Sequence, residues 1–152
     1  MPTKEWGNAT WLLFHTLAAQ IDETKFAEFK NLLILIITTT CHNLPCPICT
    51  QDASNILKKA NIHNINTKED FIEFLRQFHN IVNIKLQQKT FSIEELKIYN
   101  KIHLINVINN FINLYIKPSG NMKMIINSFQ RQNFINQITP KLKLIVKHCK
   151  NE

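Results

Sequence analysis

Apolar residues recur along most of this chain every three or four positions, the spacing that brings side chains to one face of an α-helix. Strict alternation of apolar and polar residues, which would indicate β-strands, is rare, and no internal repeat or low-complexity tract interrupts the pattern. The hydrophobic pattern therefore predicts an all-α protein.

Capping residues place the first helices. One helix is predicted over residues 8–20, and a second runs to about residue 40 from a cap at Asp22 or Thr24. The third begins at Pro45, because a missing N–H costs nothing in a first helical turn, and it continues to about residue 60. The predicted inward positions of the first two helices are Trp11, Phe14, His15, Ala18 or Ala19, and then Phe26, Phe29, Leu33, Ile36 and Ile37.

Two further caps mark later helices. Thr67 with Asp70 predicts the start of a fourth helix. Ser92 with Glu95 matches a capping box more closely and predicts a long fifth helix toward residue 117, ended by the Pro-Ser-Gly at 118–120. A tail of two helices is predicted over residues 121–136 and 140–148. The apolar positions of the fourth helix are Phe71, Phe74, Leu75, Phe78, Val82 and Leu86, and those of the tail are Met122, Ile125, Ile126 and Phe129.

Composition excludes several classes of function. Two glycines are too few for the loops that bind phosphate in doubly wound nucleotide folds. The net charge of +7 comes from lysines spread singly, so a solvated surface is favoured over nucleic-acid binding. The start of the chain has no signal-peptide pattern, and the longest apolar run, residues 32–37, is too short to span a bilayer. We expect a cytoplasmic protein, in which a close cysteine pair is more often catalytic or metal-binding than structural.

The segment Pro45-Cys46-Pro47-Ile48-Cys49 carries the clearest chemistry. Two cysteines three positions apart at a helix start can form a disulfide, and the helix dipole favours a thiolate on the first of them. The alternative is a zinc-stabilised helical interaction module whose ligands would be Cys41, His42, Cys46 and Cys49. Adjacent residues rarely converge on one tetrahedral centre, which favours redox chemistry but leaves zinc open. Because the pair follows no predicted strand, a thioredoxin-like arrangement is disfavoured and flavin is the natural electron acceptor.

Three segments stand in a characteristic order: GNATWLLFH at 7–15, LPCPIC at 44–49 followed by Asp52, and HNIVNIKL at 79–86. Together they resemble the Erv/ALR family of FAD-linked sulfhydryl oxidases, most closely the small members encoded by large DNA viruses. His79 and Asn83 share one face of the predicted fourth helix, as two ligands of one cofactor must. The match spans more than half of the chain.

The resemblance implies a four-helix bundle that holds FAD, with a short or extended fifth helix. It places an FAD-binding oxidase domain at residues 1–97 and a helical C-terminal extension at 98–152. It also implies that a substrate dithiol attacks Cys46, that Cys49 faces the flavin, and that oxygen takes the electrons and leaves as hydrogen peroxide. The residues implied to bind the cofactor are Gly7, Asn8, Trp11, His15, Cys49, His79, Asn80, Val82, Asn83, Lys85 and Phe91.

Within that set the resemblance implies different roles. Trp11 and His15 would pack around the flavin or the adenine, and Lys85 would offset the pyrophosphate charge. The residues expected on the adenosine and ribose side are His79, Asn80 and Asn83, with Val82 lining the pocket and Phe91 as a following aromatic. Further tryptophans of the cellular members are missing here, and Tyr99 is expected to replace one of their rings.

The remaining cysteines bear on the partners. Cys41 is expected to be a buried thiol and Cys149 a free tail thiol, with a shuttle role for Cys149 as the alternative. Since no second CxxC or CxC pair follows, the expected substrate is a protein dithiol or a small redox carrier. The resemblance further implies molecular oxygen as acceptor, a homodimer, and a location in the host cytoplasm or the virion, with neither nucleic acid nor a membrane span.

Overall fold

The computed structural model describes residues 4–116 and 128–150. Within these residues the chain forms six α-helices: α1 (Lys4–Gln20), α2 (Phe26–Cys41), α3 (Pro47–Lys59), α4 (Lys68–Lys85), α5 (Leu104–Ile116) and α6 (Ser128–Val146). Short 3₁₀ helices lie at Glu23–Lys25, Ile62–Asn64 and Glu94–Lys101. The all-α class is confirmed. No helix in the two described ranges is both long and apolar enough to cross a membrane.

The predicted caps form where local chemistry dictates them. The Thr67 hydroxyl accepts the Asp70 backbone N–H at 3.0 Å, and the Asp70 carboxylate accepts that of Thr67 at 3.1 Å, closing a capping box before α4. Ser92 and Glu95 exchange the same pair of bonds. One predicted inward residue is misplaced: Leu86 is 47% exposed, because it follows the last turn of α4 instead of continuing it.

The long fifth helix predicted from Ser92 is wrong, because the chain forms a 3₁₀ helix that stops at Lys101 and then starts α5 at Leu104. The interruption has a tertiary cause. The Gln20 side-chain amide donates to the carbonyl oxygens of Tyr99 at 2.9 Å and Ile102 at 2.6 Å. In a continuous helix these two carbonyl oxygens would accept backbone N–H groups of the same helix. Here they accept the Gln20 side chain instead, so the 3₁₀ helix ends and α5 starts as a separate helix.

The predicted break of the tail at Pro140 is also wrong. Helix α6 runs through Pro140, and four of its side chains are buried on the two sides of that residue: Phe134, Ile138, Leu142 and Ile145. Burial of this apolar face stabilises the helix more than the proline destabilises it. The predicted features at 118–127, including Met122, Ile125 and Ile126, lie outside the described residues. Phe129 is 73% exposed.

The core is continuous along the described chain. Helix α1 packs on α4, α5 and Glu94–Lys101, while α6 packs on α2 and α5. The fully buried residues of this core come from both halves of the chain and include Leu13, Leu33, Phe71, Phe111 and Ile138. Residues on both sides of the predicted boundary at 97 and 98 contribute to this core, while Leu96 and Tyr99 beside the boundary pack with Ala19 in a second, smaller cluster.

The C-terminal end of the described chain is fixed to the connection between α1 and α2. Lys150 donates its backbone N–H to the Gln20 carbonyl at 3.0 Å, and Asp22 donates to that of His148 at 2.8 Å. These bonds form an antiparallel bridge between Ile21 and Cys149.

Candidate active site

Cys46 and Cys49 are joined by a disulfide across the first turn of α3, with their Cα atoms 5.2 Å apart. The helix begins at Pro47, two residues later than predicted, and Cys46 is its N-cap. The Cys46 sulfur accepts the backbone N–H of Cys49 at 3.2 Å. A thiolate formed at Cys46 would therefore be stabilised by this N–H and by the positive end of the helix dipole.

The disulfide is open to a protein partner. Both cysteines are half-buried, and Ile48, which separates them, is 73% exposed. A single exposed apolar side chain is common on protein surfaces, and the exposure of Ile48 shows only that the turn is accessible from solvent.

The zinc alternative finds no support in the structure. Cys41 is buried in the main core, and the His42 ring nitrogen Nδ1 lies 2.8 Å from the Thr38 carbonyl oxygen. Across residues 4–116 and 128–150, no three side chains of His, Cys, Asp or Glu gather where they could hold a metal ion.

A cluster of rings joins the first and third sequence segments. His15 and His79 are hydrogen-bonded between Nε2 and Nδ1 at 2.9 Å, although 64 residues separate them. Trp11 stacks on His79, with ring centroids 4.1 Å apart and planes within 7°. Tyr99 stacks on His15 at 4.9 Å, and Phe91 lies 4.7 Å from His79. Helix α1, helix α4 and the chain after it each contribute to one aromatic cluster.

Both imidazoles of the cluster are neutral at pH 7. Burial, together with charge repulsion from the neighbouring His79, lowers the pKa of His15 to about 3. Burial also lowers the pKa of His79 to about 4. The cluster is therefore uncharged, and one imidazole N–H donates to the other ring. Such a surface suits a flat heteroaromatic ring, which stacks and hydrogen-bonds.

Asn80 and Asn83 hold the loop after α4. The Asn80 carboxamide donates to the Phe91 carbonyl at 3.0 Å and accepts the Phe91 N–H at 2.8 Å. The Asn83 carboxamide donates to the Lys89 carbonyl at 2.9 Å. Arg76 adds a third bond, from Nη1 to the Phe91 carbonyl at 3.1 Å. These contacts fix Phe91 against His79.

Arg76 is a site residue that the sequence analysis missed. Its guanidinium is held by two bonds to the Glu73 carboxylate, at 2.8 and 2.6 Å. The signal that could have revealed it is the Glu-x-x-Arg spacing, which places both side chains on one helix face.

An ion pair connects the third segment with the redox turn. The Lys85 ammonium lies 3.5 Å from the Asp52 carboxylate, and Asp52 stands one helical turn after Cys49. Both side chains are substantially exposed, so the pair contributes little stability, but it locates a cation close to the cysteines. Val82 is half-buried against the main core. Gly7 lies on the first turns of α1 beside Asn8, and an added Cβ there would meet nothing within 4 Å.

Two cavities flank the aromatic cluster. One, of about 620 Å³, lies between α1, α4 and Glu94–Lys101 and is bordered by His15 and Tyr99. The other, of about 510 Å³, lies between α3 and α4 and is bordered by Phe78 and Lys85. Both volumes are in the range of cofactor pockets. Neither cysteine of the pair is among the described residues that border them, and of the predicted cofactor residues only His15 and Lys85 are.

The two remaining thiols are expected to be chemically inert in the folded protein. Burial raises the pKa of both Cys41 and Cys149 to about 12, so almost no thiolate is present at neutral pH. In the oxidised native protein, iodoacetamide should label neither thiol, whereas two labels per chain should follow denaturation, as counted by mass spectrometry. Rapid labelling of native Cys149 would instead favour the shuttle role.

Comparisons with known proteins agree with the motifs. The model of the Erv1 / Alr family matches residues 8–102. The chain is 34% identical over 95 residues to the FAD-linked sulfhydryl oxidase ERV1 of Arabidopsis thaliana, covering 62% of this chain and 49% of that protein. It is 32% identical over 103 residues to the FAD-linked sulfhydryl oxidase of African swine fever virus (isolate Tick/Malawi/Lil 20-1/1983), covering 68% of this chain and 86% of that protein.

A third relative is the putative FAD-linked sulfhydryl oxidase 096R of Invertebrate iridescent virus 3, with 27% identity over 86 residues, 56% of this chain and 58% of that protein. The chain thus spans about half the length of the plant relative and most of the African swine fever virus relative. No solved structure gives a significant match.

Proposed function

The chain belongs to the Erv1 / Alr family, and on that premise we propose that it is an FAD-linked sulfhydryl oxidase, which forms disulfides in protein substrates. One observation carries the proposal: a disulfide on an open helix start lies one turn from Asp52, whose partner Lys85 belongs to the same helix as His79. Contacts link the redox turn to α4 and α4 to α1, which supports one site built from the three segments.

The residues of the site fit FAD in their chemistry. Flat rings for stacking come from Trp11, His15, His79 and Phe91, and the neutral imidazoles can exchange hydrogen bonds with a heterocycle. Lys85 supplies a positive charge for a pyrophosphate. We propose that these residues hold the cofactor together with Gly7, Asn8, Cys49, Asn80, Val82 and Asn83. When bound, FAD supplies an acceptor for two electrons that can pass them on to oxygen.

The cysteines carry the thiol chemistry. A substrate thiolate attacks the Cys46 sulfur, the bond between Cys46 and Cys49 breaks, and Cys49 leaves as a thiolate. A second substrate thiol loses its proton and displaces Cys46, so that the substrate becomes a disulfide and the pair gains two electrons and two protons. Cys46 leaves readily in this step, because the Cys49 N–H and the helix dipole stabilise its thiolate. We propose oxygen as the final acceptor, so that one dithiol and one O₂ give one disulfide and one H₂O₂.

The proposal also covers the domain organisation, the location, the substrate and the oligomeric state. A family match that ends at residue 102 supports an oxidase unit near the proposed 1–97 and an extension at 98–152 that completes its core. Because two relatives come from viruses, we propose a viral protein that acts in the host cytoplasm or the virion. The proposed substrate is a protein dithiol or a small redox carrier, as the oxidase function implies. A homodimer is proposed from the family resemblance.

The visible spectrum of the purified protein tests the proposal. We expect a yellow protein with equimolar FAD, which consumes oxygen when dithiothreitol is added and forms an equal amount of hydrogen peroxide. A colourless protein with stoichiometric zinc would contradict it.

His79→Ala should weaken FAD binding, because it removes the ring that contacts Trp11, His15 and Phe91. A ligand at about 100 times its Kd stabilises the native state by ~2.7 kcal/mol, and the variant should lose most of this gain. Thermal unfolding with and without added FAD measures the difference. His63→Ala, at an exposed position that borders neither cavity, is the matched control. An undiminished stabilisation by FAD in His79→Ala would show that the ring does not bind it.

A further inference from the structure

A third groove, of about 520 Å³, lies beside the disulfide and outside the cofactor site. One wall is the chain around the redox turn, and the other is a side of α6. The residues that matter here are Asn43, Pro47 and Thr50 on the first wall and Asn133, Phe134 and Gln137 on the second.

The first wall includes the redox turn itself. Pro47 follows Cys46 directly and Thr50 follows Cys49, and the Thr50 backbone N–H donates to the Cys46 carbonyl at 2.9 Å. Neither cysteine is among the described residues that line the groove, but a chain that lies in it contacts the residue that follows each of them.

The chemistry of the lining suits a polypeptide backbone. In a chain with 18 Lys and Arg and 11 Asp and Glu, the described residues that line this groove include none of these four types. The polar ones are mainly carboxamides, which donate and accept hydrogen bonds as peptide groups do. His42 also lines the groove, and the row of carboxamides beside it can bind main chain without selecting a sequence by charge.

Two exposed apolar side chains neighbour residues that line the groove, although neither is among the lining residues. Ile48, next to Pro47, is 73% exposed, and so is Phe129, one helical turn before Asn133 on α6. Main-chain bonding along a groove, with apolar contacts for individual side chains, is how extended peptides are commonly bound.

We propose that this groove binds an extended, cysteine-bearing segment of the protein substrate and presents its thiol to Cys46. The inference rests on the proposed oxidase function, which supplies the redox steps described above. Since α6 lies beyond the family match at residues 8–102, the extension contributes half of a substrate site that the family motifs do not contain.

The test compares two pairs of carboxamides on α6. Asn133 and Gln137 line the groove, whereas Gln132 and Asn136, which bond to each other at 2.9 Å, are exposed and not among the residues that line it. We therefore compare Asn133→Ala/Gln137→Ala with the matched control Gln132→Ala/Asn136→Ala. All four side chains are exposed, so neither pair removes core packing.

The substrates are a reduced, unstructured peptide with two cysteines and dithiothreitol, which is too small to span the groove. The ratio of kcat/KM for the peptide to kcat/KM for dithiothreitol should fall about tenfold in the groove variant and stay unchanged in the control. An unchanged ratio in the groove variant, or an equal fall in both variants, overturns the proposal. Wild-type protein that fails to oxidise dithiothreitol overturns the oxidase function instead, and the two failures are thereby distinguishable.

Discussion

Cys46→Ser and Cys49→Ser are each expected to abolish dithiol-dependent oxygen consumption while FAD stays bound. A serine cannot form a disulfide with the remaining cysteine, and the two sulfurs act as one unit, so either loss should lower kcat to background, by at least about 10³-fold. An oxygen electrode with dithiothreitol measures turnover, and the flavin spectrum after gel filtration reports the bound cofactor.

Cys149→Ser is the matched control for this experiment. The Cys149 sulfur lies 3.5 Å from the Ile145 carbonyl oxygen, so a serine hydroxyl finds an acceptor there, and turnover should be unchanged. Turnover retained in Cys46→Ser or Cys49→Ser would contradict the mechanism.

The same variants distinguish the two sulfurs. In Cys49→Ser, the Cys46 thiolate should attack a single-cysteine peptide supplied as its mixed disulfide with thionitrobenzoate, and thionitrobenzoate should leave as a thiolate. We expect the peptide to stay bonded to Cys46 as a stable mixed disulfide on a non-reducing gel. In Cys46→Ser we expect much less, because Cys46 is the sulfur proposed to meet the substrate. A mixed disulfide that forms mainly at Cys49 would reverse the proposed roles.

Acid should destabilise the protein well above the pH at which carboxylates titrate. The pKa values of His15 and His79 are lowered to about 3 and about 4, whereas in the unfolded chain both titrate near 6.5. Below pH 6 the unfolded state therefore binds more protons, and the stability that is fully present at pH 7 is lost as the pH falls. Two such groups give a slope of up to about 3 kcal/mol per pH unit between about pH 6 and pH 4.5.

Urea unfolding of the FAD-free protein at a series of pH values measures this slope. His15→Gln and His79→Gln should each reduce it by about half, whereas Gln132→Ala, at an exposed position without a titrating group, should not change it. Carboxylates such as Asp70, whose pKa is lowered by the backbone N–H groups of Asn66 and Thr67, lose their contribution only below pH 4. An equal slope in wild type and His15→Gln would show that this imidazole is not the group that titrates.

Features that depend only on neighbouring residues, such as helix caps, could be predicted from the sequence. The caps at Thr67 and Ser92 need only neighbours three positions away, and Cys46 at the start of α3 follows from the prolines around it. Features that depend on contacts between distant residues could not be predicted from the sequence. The break before α5 depends on Gln20, more than 80 residues earlier, and the passage of α6 through Pro140 depends on a core that the other helices build.

For the candidate site too, the sequence identified individual residues, whereas the contacts between them could be seen only in the structure. The motifs named Trp11, His15 and His79, and the structure brings their rings into contact, but helical spacing says nothing about the bond between His15 and His79. The bonds from Asn80 and Asn83 to the loop backbone could not be predicted either, since they depend on the path of the chain after α4. Their expected contacts with adenosine stay a prediction.

The bridge between Ile21 and Cys149 has a consequence for biosynthesis. Translation produces Ile21 early and Cys149 late. The backbone bonds that fix the connection between α1 and α2 can therefore form only after almost all of the residues between these two have been synthesised. Contacts of such long sequence separation form slowly, since the loop between them must first be closed. The helices near the N-terminus can form during elongation, but the finished enzyme is assembled only when synthesis has passed its last helix.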